Sequence, residues 1–350
     1  MKKLSRFNKV MYFFNIVLTV LSFLAFVLPF LAPKLFPLLS VLTLLLPSFL
    51  VINLLFFGYW LIQLKKQVIL SGIVLLLGIT FINKYYKFSS IDLPEESNDF
   101  TVMSYNVRLF NLFKWMDKEN VGEEIYTFVN EQSPDILCIQ EYSSSANVKF
   151  RFYNYQFSHK QGNKIKSSQV IFSKFPIVNE GVIELPDSNN SVIFADIRKG
   201  KDTIRVYNIH LESIKISPDV TEIEENVESI NKQKSQMVFN RISEAFKKQQ
   251  MQAELISKHK MTCNYPIIIC GDMNNSAFSY VYRNIKGNLN DCFEEAGNGF
   301  GQTYHFKYYP ARIDYIFADK VMQVKSFENF SKFKNSDHYP IMTRLAMVEQ

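Results

Sequence analysis

The chain has 350 residues, 47% of them hydrophobic, and a formal net charge of +6 that is unevenly spread. Residues 1–87 hold nine Lys/Arg and no Asp or Glu, which leaves 30 basic against 33 acidic residues over 88–350, a balance of −3. The larger part therefore lacks the cationic excess that drives non-specific nucleic-acid binding, although a local basic groove stays open, and the four cysteines show no metal-binding spacing.

In chain order, residues 10–32 are almost wholly apolar and long enough to cross a bilayer at ~1.5 Å per residue. Residues 36–62 form a second predicted transmembrane helix, with Pro37 near its start and Pro47 inside it, and residues 68–82 a third, shorter one. Lys2, Lys3 and Arg6 resemble the start of a signal peptide, but the apolar run is too long and no small-residue cleavage site follows. Those residues and Lys9 precede the first span, Lys65 and Lys66 lie between the second and third, and the opposite side carries Lys34, Lys84 and Lys87. This bias predicts an N-terminus inside the cell, so three crossings put the remainder outside the cytoplasm, whereas two would leave it within. Residues 88–98, with Pro94, Glu95 and Glu96, read as a short tether that holds the rest of the chain close to the bilayer. Residues 99–350 read as a single domain large enough for one core.

Within that domain, short apolar runs repeatedly deliver a polar side chain. Thr101 to Tyr105 reads as a strand ending at Asn106, and Ile136 to Gln140 as another ending at Glu141. Thr203 to Ile209 alternates as a half-buried strand and carries His210 at its end. From about Asp219 to His259, Val220, Ile223, Val227 and Ile230, then Val238, Ile242, Phe246, Ala253 and Ile256, recur at helical spacing. Acidic residues gather early in this stretch and lysines late, as the helix macrodipole favours, and it reads as one or two packing helices. Pro266 to Cys270 reads as a fully buried strand closed by Gly271, after which Asp272 and Asn274 offer a carboxylate and an amide to a cation or phosphate. Arg312 to Phe317 places Asp314 inside a strand, and Ser336-Asp337-His338-Tyr339-Pro340 sets an acid beside an imidazole. Each polar residue alone is ordinary in a turn. Six strand ends that each supply one or two of them point to a site. His159, His259 and His305 lie outside any such motif and, with Arg312, read as structural, while Cys138 and Cys270 read as core residues.

The order of these motifs resembles that of the endonuclease/exonuclease/phosphatase superfamily of metal-dependent phosphodiesterases. That superfamily includes deoxyribonucleases, abasic-site endonucleases, neutral sphingomyelinases and inositol polyphosphate 5-phosphatases. The likeness runs from about Phe100 to Ala346 and rests on Tyr105-Asn106-Val107, Gln140-Glu141, Asn208-Ile209-His210, Gly271-Asp272-Met273-Asn274, Ile313-Asp314-Tyr315 and Ser336-Asp337-His338. Gly299, Gly301, Thr303 and Tyr304 resemble the loop before the Asp-Tyr strand, and His210 stands where abasic-site endonucleases carry Tyr, which argues against that subgroup.

The resemblance implies an α/β sandwich of two packed sheets with helices outside, and a site for Mg²⁺ or Mn²⁺ held by hard oxygen ligands. It implies Glu141, Asp337 and Asn106 at or near the metal, and Asp272 with Asn274 placing water and phosphate. His338 would take a proton from water with Asp314 fixing its tautomer, and His210 would bind the phosphate or protonate the leaving oxygen. Either His338 or Asp272 can activate the water on this reading. The expected activity is hydrolysis of a phosphate ester. Tethering and a mildly acidic domain favour a phospholipid or phosphorylated headgroup, while the superfamily as a whole favours nucleic acid. The competing expectation is a catalytically inactive membrane-bound binding or scaffolding protein on the same fold, against which every polar site position is filled.

Overall fold

A computed structural model of the chain describes residues 4–161, 167–214, 232–307 and 309–348. The apolar N-terminal part forms helices α1 (Arg6–Val27), α2 (Leu42–Ile62) and α3 (Val68–Ile82). With their 3₁₀ extensions, the first two are long and apolar enough to cross a membrane, while the third is shorter. Helix does not fill the sequence-predicted limits 10–32 and 36–62. Pro29, Pro33 and Pro37 break the connection into short turns, and regular helix resumes only at Leu42.

Buried polar pairs set the packing of the three helices. Asn8 Nδ2 donates to Gln63 at 2.8 Å, Asn15 Nδ2 to Ser71 Oγ at 2.8 Å, Trp60 Nε1 to Asn15 Oδ1 at 3.0 Å, and Asn53 Nδ2 to Ser22 Oγ at 3.0 Å. The pairs 8–63, 15–60 and 22–53 run α1 antiparallel to α2, while 15–71 and the stacked rings of Phe26 and Phe81 run α1 parallel to α3. The result is an up-down-up bundle with one end formed by residues 28–41 and 82–88.

The remaining chain builds two six-stranded mixed sheets. The first holds β2 (Phe100–Asn106), β3 (Ile136–Tyr142), β4 (Tyr155–Gln161), β5 (Ser167–Ser173), β13 (Met322–Asn329) and β14 (Ile341–Met347), in spatial order 13-14-2-3-5-4. The second holds β6 (Ile177–Glu184), β7 (Ser191–Lys199), β8 (Asp202–His210), β9 (Ile267–Asp272), β10 (Asn290–Asp291) and β12 (Asp314–Ala318), in order 10-12-9-8-7-6. Among the described strands only β2–β3 and β8–β9 pair in parallel. Their carboxyl ends carry Asn106, Glu141, His210 and Asp272. A two-residue pair, β1 (Tyr86–Lys87) with β11 (Gly299–Phe300), joins the end of the bundle to the domain.

Three apolar layers explain why the strands hold. Val102, Ile136, Ile193, Ile204, Val206, Ile268 and Ile316 meet between the sheets. Outside the first sheet, α4 (Val121–Gln132) lays Val121, Ile125 and Val129 on Met103, Leu137 and Ile139. Outside the second, α5 (Lys232–Met261) and α6 (Tyr280–Lys286) cover Tyr207, Ile209, Ile267 and Ile269. Each such side chain contributes ~1.5–3 kcal/mol by leaving water. Strand β8 is therefore not half-buried as its alternation suggests: Ile204 and Val206 face the other sheet while Tyr207 and Ile209 face helices, so both faces are apolar environments. The helical stretch predicted from 219 to 259 is described only from Lys232 onward, and Val220, Ile223, Val227 and Ile230 lie outside the described residues. The expected tether, residues 88–98, lies along the domain: Leu93 N donates to Lys325 O at 2.9 Å and Lys325 Nζ meets Glu96 at 2.9 Å.

Candidate active site

Gly271 does not end its strand as the sequence suggests; it lies within β9 with φ at +132°, and a Cβ there would stand 2.0 Å from the carbonyl oxygen of Ile209. Only glycine lets β9 approach β8 this closely, and the approach pairs His210 with Asp272 in register. On the other flank Asp314, the first residue of β12 rather than an interior one, pairs with Asp272. In the first sheet Asn106 pairs with Gln140, and Glu141 adopts φ +53° at an irregularity between Ile139 and Tyr142. Backbone strain of this kind costs ~1–3 kcal/mol and is characteristic of functional positions. Gln140 Nε2 donates to Asn208 Oδ1 at 2.7 Å, a buried bond that ties the two sheets beneath the site.

All eight predicted residues come together. Asn106 Nδ2 donates to Asp272 Oδ2 at 3.2 Å and approaches Glu141 Oε1 at 3.4 Å. Asp272 Oδ1 accepts the backbone N–H of Asn274 at 2.7 Å, and Asn274 Nδ2 also reaches Asp272 at 3.2 Å and Leu211 O at 3.0 Å. His210 Nε2 lies 3.7 Å from Asp272 and 3.8 Å from Glu141, within ion-pair range but too far for a hydrogen bond. His338 Nδ1 contacts both oxygens of Asp314, at 2.9 and 3.1 Å, and its Nε2 points towards Asp272 at 3.6 Å. A carboxylate only accepts, so the Nδ1 facing Asp314 carries a proton. Asp314 pairs with His338 and not with Arg312, whose guanidinium is buried against Asp291. Thr303 Oγ1 accepts the backbone N–H groups of Ile313 and Asp314, each at 3.0 Å.

Sequence reasoning missed Arg108 and gave no role to Tyr304 and Ser336, which it quoted only within motifs. Arg108 Nη1 meets Asp337 Oδ2 at 2.6 Å and stacks on Trp115 at 4.0 Å. Its place two residues after Asn106 was the available signal. The Tyr304 ring stands 4.9 Å from that of His338, and Ser336 Oγ donates to Asn106 O at 2.8 Å. Glu141, His210, Asp272, Asn274, Asp337, His338 and Arg108 open on one cleft of about 380 Å³. A larger hollow of about 1040 Å³ lies between loops 110–123 and 145–151, and it contains none of these side chains.

Burial raises the Asp272 carboxyl to about 6, helped by neighbouring Asp314 and opposed by His338. Burial alone would lower His338, but Asp314 and Asp272 outweigh it and hold the imidazole well above its ordinary value. Asp272, Asp314 and His338 offer ligand atoms within 4.8 Å of one another. The 2.9 Å contact of Nδ1 with Asp314 is that of a hydrogen-bonded pair, so this trio suits proton transfer better than metal binding. Glu141, Asp337 and Asn106 carry hard oxygen atoms beside this trio, with Asp337 paired to Arg108 and Asn106 Oδ1 accepting the Arg108 backbone N–H at 3.0 Å. Glu141 and Asp337 both line the cleft, and their carboxylate oxygens are the kind of ligand a divalent cation takes.

Comparison with known proteins agrees with the geometry. The model of the Endonuclease/Exonuclease/phosphatase family matches residues 103–338, and that of a domain of unknown function (DUF8431) matches residues 8–85. Comparison with curated proteins returned no match. Among solved structures, an endonuclease/exonuclease/phosphatase family protein from Bacteroides thetaiotaomicron is similar at TM-score 0.53 and 19% identity, over 72% of this chain and 99% of its own. A mannosyl-6-phosphatase from Bacteroides thetaiotaomicron VPI-5482 is similar at TM-score 0.51 and 18% identity, over 71% and 100%. D. rerio TDP2 complexed with a single-strand DNA product is similar at TM-score 0.52 and 14% identity, over 72% and 100%. At these identities the structures show the fold, while the family match extends over most of the chain. The chain belongs to the endonuclease/exonuclease/phosphatase family.

Proposed function

We propose that this protein is a membrane-anchored, divalent-cation-dependent hydrolase of phosphate esters, with residues 1–87 as anchor, 88–98 as linker and 99–350 as catalytic domain. The observation that carries the activity is the convergence in one cleft of an oxygen donor set with the Asp314–His338–Asp272 chain. Glu141, Asp337 and Asn106 would hold Mg²⁺ or Mn²⁺. Such an ion neutralises phosphate charge and stabilises the leaving oxyanion. His338, oriented by Asp314, would take the proton of the attacking water once a bound cation offsets the carboxylates that hold it protonated, with Asp272 and Asn274 positioning that water and a phosphoryl oxygen. His210 reaches the same space and donates to the phosphate or to the leaving oxygen. Substrates of two kinds suit this chemistry, nucleic acid and the phosphorylated headgroup of a lipid.

The bundle supports an anchor. Asn15 bonds to Ser71 and Asn53 to Ser22 inside it while its outer surface is apolar, the arrangement expected where lipid is the solvent. Arg6, Lys9, Lys65 and Lys66 belong to the end remote from the domain, which supports an extracytoplasmic domain under the positive-inside rule. The test of activity is hydrolysis of bis-p-nitrophenyl phosphate by the full chain in detergent. Turnover is expected with Mg²⁺ or Mn²⁺ and is expected to stop on adding chelator; turnover that persists in chelator would remove the cation from the proposal.

A further inference from the structure

The domain sits on one end of the helical bundle, and its catalytic face makes part of that contact. Phe278 packs with the bundle core and lies 6.1 Å from Phe81, Arg283 stacks on Phe30 at 4.4 Å, and Gln250 Oε1 accepts the backbone N–H of Lys34 at 2.8 Å. Pro47 has no N–H, so the carbonyl of Thr43 loses its helical partner, and Ser276 Oγ approaches it at 3.4 Å. Ser276 is two residues beyond Asn274 and lines the same cleft as His338. Leu44, in the first turn of α2, is itself a wall of that cleft. It packs with Val41, Ile214 and Phe246, and the cleft wall continues through Tyr304, Phe306 and Tyr309. Leu35, Phe36, Leu38 and Leu39, at the same end of the bundle, expose apolar side chains. If the helices span a bilayer, these residues lie at its surface, and the mouth of the cleft opens at the depth of lipid phosphates.

We infer that the substrate is the phosphate ester of a lipid in the membrane that holds the anchor, entering the cleft laterally past Leu44. This rests on the hydrolase reading above and narrows it. The oxygen of a water bonds to phosphorus and the P–O bond to the alcohol breaks; one proton of the water passes to His338 and the leaving alkoxide takes one from His210. An apolar wall suits the first carbons of a lipid beside its phosphate, whereas a nucleic acid offers phosphates flanked by sugars, and residues 88–350 carry no net positive charge to gather it.

The test uses the full chain in nanodiscs containing phosphatidylcholine, phosphatidylethanolamine, phosphatidic acid, phosphatidylinositol phosphate and sphingomyelin. Lipid conversion is read by mass spectrometry beside turnover of bis-p-nitrophenyl phosphate and a single-stranded oligonucleotide. Conversion of at least one lipid, at least tenfold faster than the oligonucleotide at equal phosphate concentration, is expected. Turnover of bis-p-nitrophenyl phosphate with every lipid intact, or an oligonucleotide cleaved as fast as any lipid, overturns the lipid inference and leaves the hydrolase standing. Loss of all turnover defeats both. Independently, a nitroxide on Phe306→Cys in a Cys263→Ser background should collide with oxygen more than with a water-soluble nickel complex, and the reverse order overturns lateral entry.

Discussion

His338 is gripped by Asp314 on one ring nitrogen and faces Asp272 with the other, so its ring can turn little, as the proposed proton transfer requires. Replacing His338 by Ala is expected to lower kcat by ~10²–10⁴-fold, the usual contribution of a positioned general base, and undiminished hydrolysis would remove it from the mechanism. Glu141→Ala should abolish cation-dependent turnover, measured with saturating Mn²⁺ so that weakened affinity is distinguished from lost chemistry. The same groups make the cation-free protein sensitive to pH. Asp272, at about 6 when folded and at an ordinary carboxylate value when unfolded, binds more protons in the folded state, so stability falls as pH rises from ~4 to 6. His338 acts in the same direction: its folded value is raised, so its contribution is fully present below ~6.5 and is lost as pH climbs through that raised value. Thermal unfolding in chelator at several pH values should show this decline, with added Mn²⁺ flattening it; a midpoint that rises over the same interval would contradict the charge arrangement.

At the scale of elements, the close crossing of β8 and β9 sets the relative position of His210 and Asp272. Gly271→Ala brings a methyl group against Ile209 O and strains a φ of +132°, so a loss of more than ~3 kcal/mol is expected, visible as a lowered denaturant midpoint. Such strand ends were legible because buried strands are short, β-branched and punctuated, and a polar residue at their tip breaks the pattern visibly. The loops beyond the strand tips were less legible. Arg108 and Tyr304 reach the cleft through loop conformations, and the loop carrying Arg108 has positive φ at four consecutive residues, Arg108 to Asn111, which no periodicity announces. Gln140 and Asn208 were noticed as motif residues, but their bond across the two sheets depends on how the layers stack, and sequence spacing does not carry that. The alternation of β8 misled for a similar reason: a strand covered by a sheet on one side and helices on the other has no solvent face to mark.

Across the whole molecule, the bundle predicts sidedness. A reporter fused at Phe88 that works only outside the cytoplasm should be active, and one that works only inside should be silent; the opposite result would mean that α3 does not cross. Apolar length and basic residues marked the helices in the sequence, but their contact with the catalytic face arises from a fold that joins Leu44 to residues more than a hundred positions away. Asn15 adds a consequence of another kind. It bonds at once to Ser71 and Trp60, and so fixes how far each helix slides along its neighbours. Membrane attachment alone could be supplied by any greasy hairpin, but a foreign hairpin has no such detent and would leave the height of Leu44 above the bilayer unset. On the proposed reading of the bundle as a membrane anchor, register inside it is thus a measuring device, converting side-chain pairing into the distance between a cleft and the layer it would face.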